Sequence, residues 1–347
     1  MKRNRKFTLT IISILLIIVL LILANNFMNP YYLLILNLCA VYTIIGLSLN
    51  LILGFTGLFS LGHAGFMAIG AYTTGLLTMS LTAKQMNFFV APLISPLNKI
   101  VWPFFPALIA GGLLSAFVAF LIGAPVLRLK GDYLAISTLG FSEIIRVVLT
   151  NTQSLTNGAL GLIGIPTTAN LWWTFGTAGA SLVIFLLLIN SSYGRALKAI
   201  REDETAAEAM GINLYKHKVL SFCISAFFAG IGGGLLGSLL GAIDPLQFRF
   251  LLTFNILLIV VLGGMGSLTG TVLSAFAITV AGEALRFLDA PMIPNVPALP
   301  GLRMVVFSAL LMISILFFRS GIMGTKEFSW DGLLAFINRK PLSKGGE

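Results

Sequence analysis

Long apolar runs separated by short polar stretches set the rhythm of the chain. They lie at about Phe7–Ala24, Tyr32–Ile52, Leu58–Leu81, Phe104–Ala124, Leu134–Leu149, Trp172–Ile189, Val219–Gly241, Phe250–Leu262, Leu268–Leu285 and Leu302–Phe318. Most reach the ~17–25 residues that a helix needs to cross a bilayer, and Leu134–Leu149 and Phe250–Leu262 fall short. Backbone groups in lipid must be satisfied within their own segment or in a closed barrel. The period-two alternation of a barrel is absent, so the runs predict helices. The expectation is an all-α integral membrane protein of about ten transmembrane helices, some short or broken. No linker divides it, so 1–347 reads as one transmembrane domain.

Positive charge falls in blocks between these runs. Lys2, Arg3, Arg5 and Lys6 form the first, and Arg195, Lys198, Arg201, Lys216 and Lys218 the second. Arg319, Lys326, Arg339, Lys340 and Lys344 form the third. Lys and Arg concentrate on the cytoplasmic side of membrane proteins. The rule therefore puts the tail 1–6, the loop 191–218 and the tail 319–347 in the cytoplasm. The loop then follows six crossings, and Phe250–Leu285 must cross twice, turning at Gly263-Gly264-Met265-Gly266-Ser267. Ten crossings satisfy every block. Eight, with the short segments re-entrant, is the alternative.

Composition removes other classes. Only 10% of the 347 residues are charged and 57% are hydrophobic, so a soluble fold could not cover its surface. The net charge of +10 is explained by orientation, and no nucleic-acid partner is expected. Phe7–Ala24 is too long for a signal h-region and no A-x-A site follows it, so it reads as a retained span. Cys39 and Cys223 sit inside apolar runs, which suits buried small hydrophobes better than a disulfide or a metal site. Neither H-E-x-x-H, G-x-S-x-G nor a Walker sequence occurs, so neither a membrane enzyme nor an internal ATPase is supported.

The segment Gly194–Asn213 is charged and rich in Ala, Glu and Arg. It predicts a short helix lying along the membrane and capped at Gly211. A solvated basic loop is the plainer reading of the same residues. Glu204-Thr205-Ala206-Ala207 with Gly211 soon after resembles the EAA-type coupling loop of ABC importer permeases, although the strict spelling is E-A-A. Three other stretches extend the likeness. They are Gly54 to Tyr72 (through Gly57, Ser60, Gly62, His63 and Gly65), Pro125 to Phe141 (through Arg128, Gly131 and Asp132), and Val261 to Leu268. Together, from about residue 40 to 325, the chain is similar to the LivM-type branched-chain amino acid permease family.

The resemblance implies an ABC importer permease fold in the inner (cytoplasmic) membrane, with both termini cytoplasmic. Such a subunit does no chemistry and binds no cofactor itself. ATP is used by two cytosolic ATPase subunits, and an extracytoplasmic substrate-binding protein delivers a branched-chain or related small amino acid. The family further implies pairing with a different, related permease chain. The coupling loop would be carried by Arg195, Arg201, Glu202, Asp203, Glu204, Ala206, Ala207 and Gly211. Urea or short-chain amides are the nearest other substrates. A stand-alone secondary transporter or channel is the reading from another class, and it would need no docking loop.

Two more constellations stand out. Gly57, Ser60, Gly62 and His63 and, further on, Gly263, Gly264, Gly266 and Ser267 both contain G-x-x-S-L. Broken helices can open backbone groups to a translocation path, whereas small residues also serve close helix packing. His63 is either a proton-sensitive path residue or a hydrogen-bonded helix-end histidine. Finally, Glu143 with Arg146 and Glu283 with Arg286 have the spacing of ion pairs on one helix face. Charge in the membrane is a functional candidate by default, and an anchor at the membrane edge is the alternative.

Overall fold

The computed structural model describes residues 2–129 and 131–286, together with 305, 306, 308, 309, 312, 317, 321–324 and 327. The first helix, α1 (Lys2–Phe27), is followed by α2 (Pro30–Asn50), which runs straight into a π-helical turn at Leu51–Phe55. After an irregular stretch come α3 (His63–Thr78), α4 (Leu81–Asn87), α5 (Phe104–Val126), α6 (Asp132–Asn151) and the single turn α7 (Gln153–Thr156). Then follow α8 (Leu171–Asn190), α9 (Ser192–Glu202), α10 (Glu204–Ala209) and α11 (Leu214–Leu240), and finally α12 (Phe250–Gly263) and α13 (Leu268–Ala284). Among the described residues six helices are long and apolar enough to cross a membrane: α1 over Thr8–Phe27, α2 with its π turn, α5, α6, α8 and α11. The helices α12 and α13 are shorter and apolar.

Polar side chains start most of these helices by binding first-turn N–H groups left without intrahelical partners. Asn29 accepts from Tyr31 N, Asn170 from Trp173 N, Ser191 from Gly194 N, Asn213 from Lys216 N and Ser267 from Gly270 N.

The centre is built by α3, α5 and α11, which approach closely through small residues. A Cβ on Gly70 would lie 2.0 Å from the Gly230 carbonyl oxygen, and one on Gly233 would lie 2.0 Å from that of Met67. Ser115 donates to the Phe66 carbonyl across the α3–α5 contact at 2.9 Å. In lipid such contact replaces the hydrophobic drive as the source of helix association. Around this trio, α2 packs on α8, α11 and α13. By contrast, α1 leaves Leu15, Leu16 and Leu20 more than half exposed, as a lipid-facing helix does.

Contacts at the helix ends sort them onto two faces. On one, Leu61 N donates to Thr138, Tyr215 to the Ala124 carbonyl and Arg201 to the Gly54 carbonyl. On the other, Trp102 N meets the Leu77 carbonyl, Ile94 N meets that of Ser154, and β1 (Leu162–Ile163) pairs with β2 (Ala242–Ile243). Ile322 N and Met323 N bind the carbonyls of Leu262 and Gly263, and Glu327 caps Leu268 N at 2.7 Å. Residues 321–324 and Glu327 thus share the face of α9 and α10. The far end of α13 lies beside Tyr31, on the opposite face. Most of the expected span Leu302–Phe318 and most of the tail 319–347 lie outside the described residues.

Several boundaries differ from those expected. Leu134–Leu149 is part of a full-length helix, because Asp132 and Asn151 add polar turns to the apolar run. The run Leu58–Leu81 becomes helical only at His63, and the run before it continues to Phe55. The loop 191–218 holds two helices in place of one. Asp203 divides them, in extended conformation, by accepting from Thr205 N and Ala206 N and so starting a new helix.

Candidate functional site at the helix breaks

Two interrupted helices meet on the face that carries α9 and α10. In the first, the widened turn Leu51–Phe55 ends α2, Gly57 takes φ +75°, and α3 begins at His63. In the second, α12 stops at Gly263, and Gly264 (φ +110°) and Gly266 (φ +92°) turn the chain into α13. Positive φ at these positions strains any residue with a Cβ. A Cβ on Gly54 would come within 2.3 Å of Gly266 N, so the two breaks touch backbone to backbone.

Asn50 joins them. It is fully buried, its Oδ1 accepts from Gly266 N at 2.9 Å, and its Nδ2 donates to the Ser267 carbonyl at 2.8 Å and to Thr271 Oγ1 at 2.7 Å. Sequence reading passed over this residue. The available signal was an amide inside an apolar span, where each polar group needs a partner.

Arg201 closes the node from outside the bundle. Its Nη1 donates to the Gly54 carbonyl at 2.7 Å, while Nε (3.0 Å) and Nη2 are held by the Glu202 carboxylate. The aliphatic part of Arg201 lies against Gly57, and a Cβ on Gly266 would meet Nη1 at 2.8 Å. Lys198 sits over the Phe55 ring, 5.7 Å from its centroid. The cytoplasmic-type segment and the glycine breaks, read separately in the sequence, are one site.

The other predicted residues are placed as follows. Ser60 is buried, and a Cβ on Gly62 would meet the Thr138 carbonyl oxygen at 3.1 Å. His63 is fully buried at the first position of α3. Ser225 Oγ donates to the Ser48 carbonyl, so it accepts from His63 Nε2 at 3.0 Å. Cβ atoms on Gly263 and Gly264 would collide with Gly270 and Gly324. The break glycines therefore face neighbouring backbone.

On the segment of α9 and α10, Arg195 is exposed, and Glu204 pairs at 2.6 Å with the buried Lys218 of α11. Gly211 has φ +81°, and Gly211 N and Ile212 N bind the carbonyls of Glu208 and Ala207, a Schellman ending. Ala207 is only 3% exposed, whereas Ala206, Glu208 and Ala209 are exposed and Met210 is 83% exposed. Ala207 thus packs inside the chain, and the surface open to a partner is the strip from Ala206 to Met210. Tyr193 donates to the His217 carbonyl and stacks on its ring. Burial pushes the phenol up to about 12, so it stays a neutral donor.

Both predicted ion pairs form. Arg146 Nε donates to Glu143 at 2.7 Å along α6. Arg286 donates to Glu283 at 2.8 Å, and Tyr31 joins the same carboxylate. The second pair lies at the helix ends opposite α9. Among the described residues no cluster of three or more His, Cys, Asp or Glu could hold a metal ion.

Comparison with known proteins adds the family. The model described as "Branched-chain amino acid transport system / permease component" matches residues 31–315. The high-affinity branched-chain amino acid transport system permease protein LivM of Salmonella typhimurium is 37% identical over 280 residues, covering 71% of this chain and 61% of its own length. LivM of Escherichia coli K12 is 37% identical over 72% of this chain and 62% of its own length. LivH of Salmonella typhimurium is 26% identical over 84% of this chain and 94% of its own. The match thus spans about three-fifths of the LivM proteins. No solved structure matches the chain. It is a multi-pass membrane protein of the permease class, and it belongs to the branched-chain amino acid transport system permease component family.

Proposed function

We propose that this chain is the transmembrane permease subunit of an ATP-driven importer for branched-chain or related small amino acids. In this reading an extracytoplasmic binding protein delivers the substrate, and a second, related permease chain completes the pathway. Two cytosolic ATPase subunits bind and hydrolyse the ATP, and this chain holds no cofactor. The protein sits in the inner (cytoplasmic) membrane as one permease domain, with both termini and Ser191–Lys218 in the cytoplasm.

The observation that carries the reading is the contact of Arg201 with Gly54 and Gly266. A helix pair outside the bundle reaches a place where two spans are broken and lie against each other. Its outer strip, Ala206 to Met210, offers small side chains and one prominent apolar side chain to a partner. Apolar anchors that fill a partner's pocket carry most of the energy of an interface. Movement of the docked ATPases would pass through α9 to both breaks together.

The test is uptake of labelled leucine by liposomes holding the chain with its permease partner and ATPases. Uptake that requires both ATP and binding protein is expected. Leucine flux through the chain alone, indifferent to ATP, would replace the reading by a stand-alone carrier.

A further inference from the structure

Glu143 lies deep in α6, and Arg146 stands five residues from the helix end at Asn151. Glu143 is eight residues from the nearer helix end, Asn151, roughly 12 Å at the helical rise, farther than a carboxylate reaches. Neither side chain is sealed inside the chain: their side chains are 33% and 22% exposed. Charge at such depth is expensive unless it faces a water-filled path or another protein surface.

The flank on which the pair stands is distinct. Helical spacing aligns Leu139, Glu143, Arg146 and Thr150 in one stripe. Ile136 and Val147, seven residues before and four after Glu143, stand on the same exposed side of the helix. Ile144 and Val148 line an apolar cavity with Leu114 and Val118 of α5, on the far side of the helix from the pair. The ion pair therefore stands on the exposed side of α6, away from the α5 cavity.

Their bonding leaves two complementary ends free. Arg146 Nε binds Glu143 Oε2. Among the described residues Glu143 Oε1 and the two Nη atoms of Arg146 make no hydrogen bond. A guanidinium fork matches a carboxylate in two parallel bonds, and a carboxylate oxygen accepts from an ammonium. The geometry points to a site for the α-ammonium and α-carboxylate of an amino acid zwitterion, with Glu143 taking the first and Arg146 the second. The inference rests on the importer reading above and names what the path recognises: the head group shared by all neutral amino acids.

The test uses the reconstituted complex and the double variant Glu143→Gln with Arg146→Gln, which removes both charges and keeps a hydrogen-bonding pair. Leucine uptake should fall at least tenfold. ATP hydrolysis stimulated by binding protein should stay within twofold, with an unchanged size-exclusion profile. Uptake within twofold of the parent would overturn the site. Should the variant fail to assemble, single cysteines at Leu139 and Thr150 in a Cys-free background decide. Both should react with a charged thiol reagent and react at least threefold more slowly with leucine present. Reaction indifferent to leucine, or none at either position, overturns the site. A parent complex that imports no amino acid overturns the importer reading itself, before any variant is compared.

Discussion

Arg201 of the extramembrane helix α9 donates a 2.7 Å hydrogen bond to the carbonyl of Gly54, at the end of the interrupted span α2. That carbonyl belongs to a π-helical turn, where the regular ladder of backbone bonds is disturbed. The same guanidinium stands against Gly266 in the second break. One side chain thus spans a solvent-side helix and two membrane segments, and its Nε and Nη2 are fixed by Glu202.

Asn50 gives the first prediction. Replacing it by Leu removes the acceptor of Gly266 N–H and the donor to Ser267, in a site with no solvent. An orphaned buried polar group costs about 1–3 kcal/mol. Asn50→Leu should lower the thermal unfolding midpoint of the purified chain by several degrees, while Asn50→Asp should fare no better because it lacks the Nδ2 donor. A midpoint equal to that of the parent for Asn50→Leu would mean that the breaks do not depend on this amide.

The docking strip gives a second. Met210→Glu changes an 83% exposed side chain, so the chain should express and purify as before and retain at least tenfold less ATPase on co-purification. Ala207→Arg should instead damage the chain's own packing, because Ala207 is buried. Co-purification from matched amounts of folded chain separates the two effects. Undiminished ATPase with Met210→Glu would place the docking surface elsewhere.

Close helix approach supplies a third. Gly70→Ala would put a Cβ 2.0 Å from the Gly230 carbonyl oxygen, forcing α3 and α11 apart. Gly176→Ala meets nothing within 4 Å and gains helix propensity of about 1 kcal/mol at most. In detergent, the first should aggregate or unfold at lower temperature, and the second should match or exceed the parent. Equal stability of the two would contradict the α3–α11 contact.

Sidedness can be tested by labelling. Cysteines at Met86 and Leu160, both exposed on the face opposite α9, should react with an impermeant maleimide in intact cells. Cysteines at Lys216 and Glu327, on the face of α9, should react only after permeabilisation. Labelling of Lys216 in intact cells would invert the orientation drawn from the basic blocks.

The helices were legible because lipid allows so few solutions: an apolar run of sufficient length must be helical. The breaks at Gly57 and Gly264 were legible as glycine clusters, and the pairs Glu143–Arg146 and Glu283–Arg286 as spacing. Their convergence was not. Arg201 lies 147 residues from Gly54 and Asn50 lies 216 from Gly266, and no local pattern encodes such contacts. The division at Asp203 was missed because the segment's strong helix propensity hid an aspartate that caps better than it propagates. Ala207 misled for a related reason: a small residue beside charged ones looks exposed, yet it is the inward side of α10.

The most direct measurement compares ATP hydrolysis with leucine uptake for Arg201→Ala in reconstituted complexes. Arg201 touches the breaks and not the strip from Ala206 to Met210, so the ATPases should still bind and hydrolyse ATP. The movement should no longer reach Gly54 and Gly266. The account predicts hydrolysis within threefold of the parent and uptake reduced at least tenfold, giving many ATP consumed per leucine imported. An unchanged ratio of leucine to ATP, whether both rates are normal or both fall together, would contradict it.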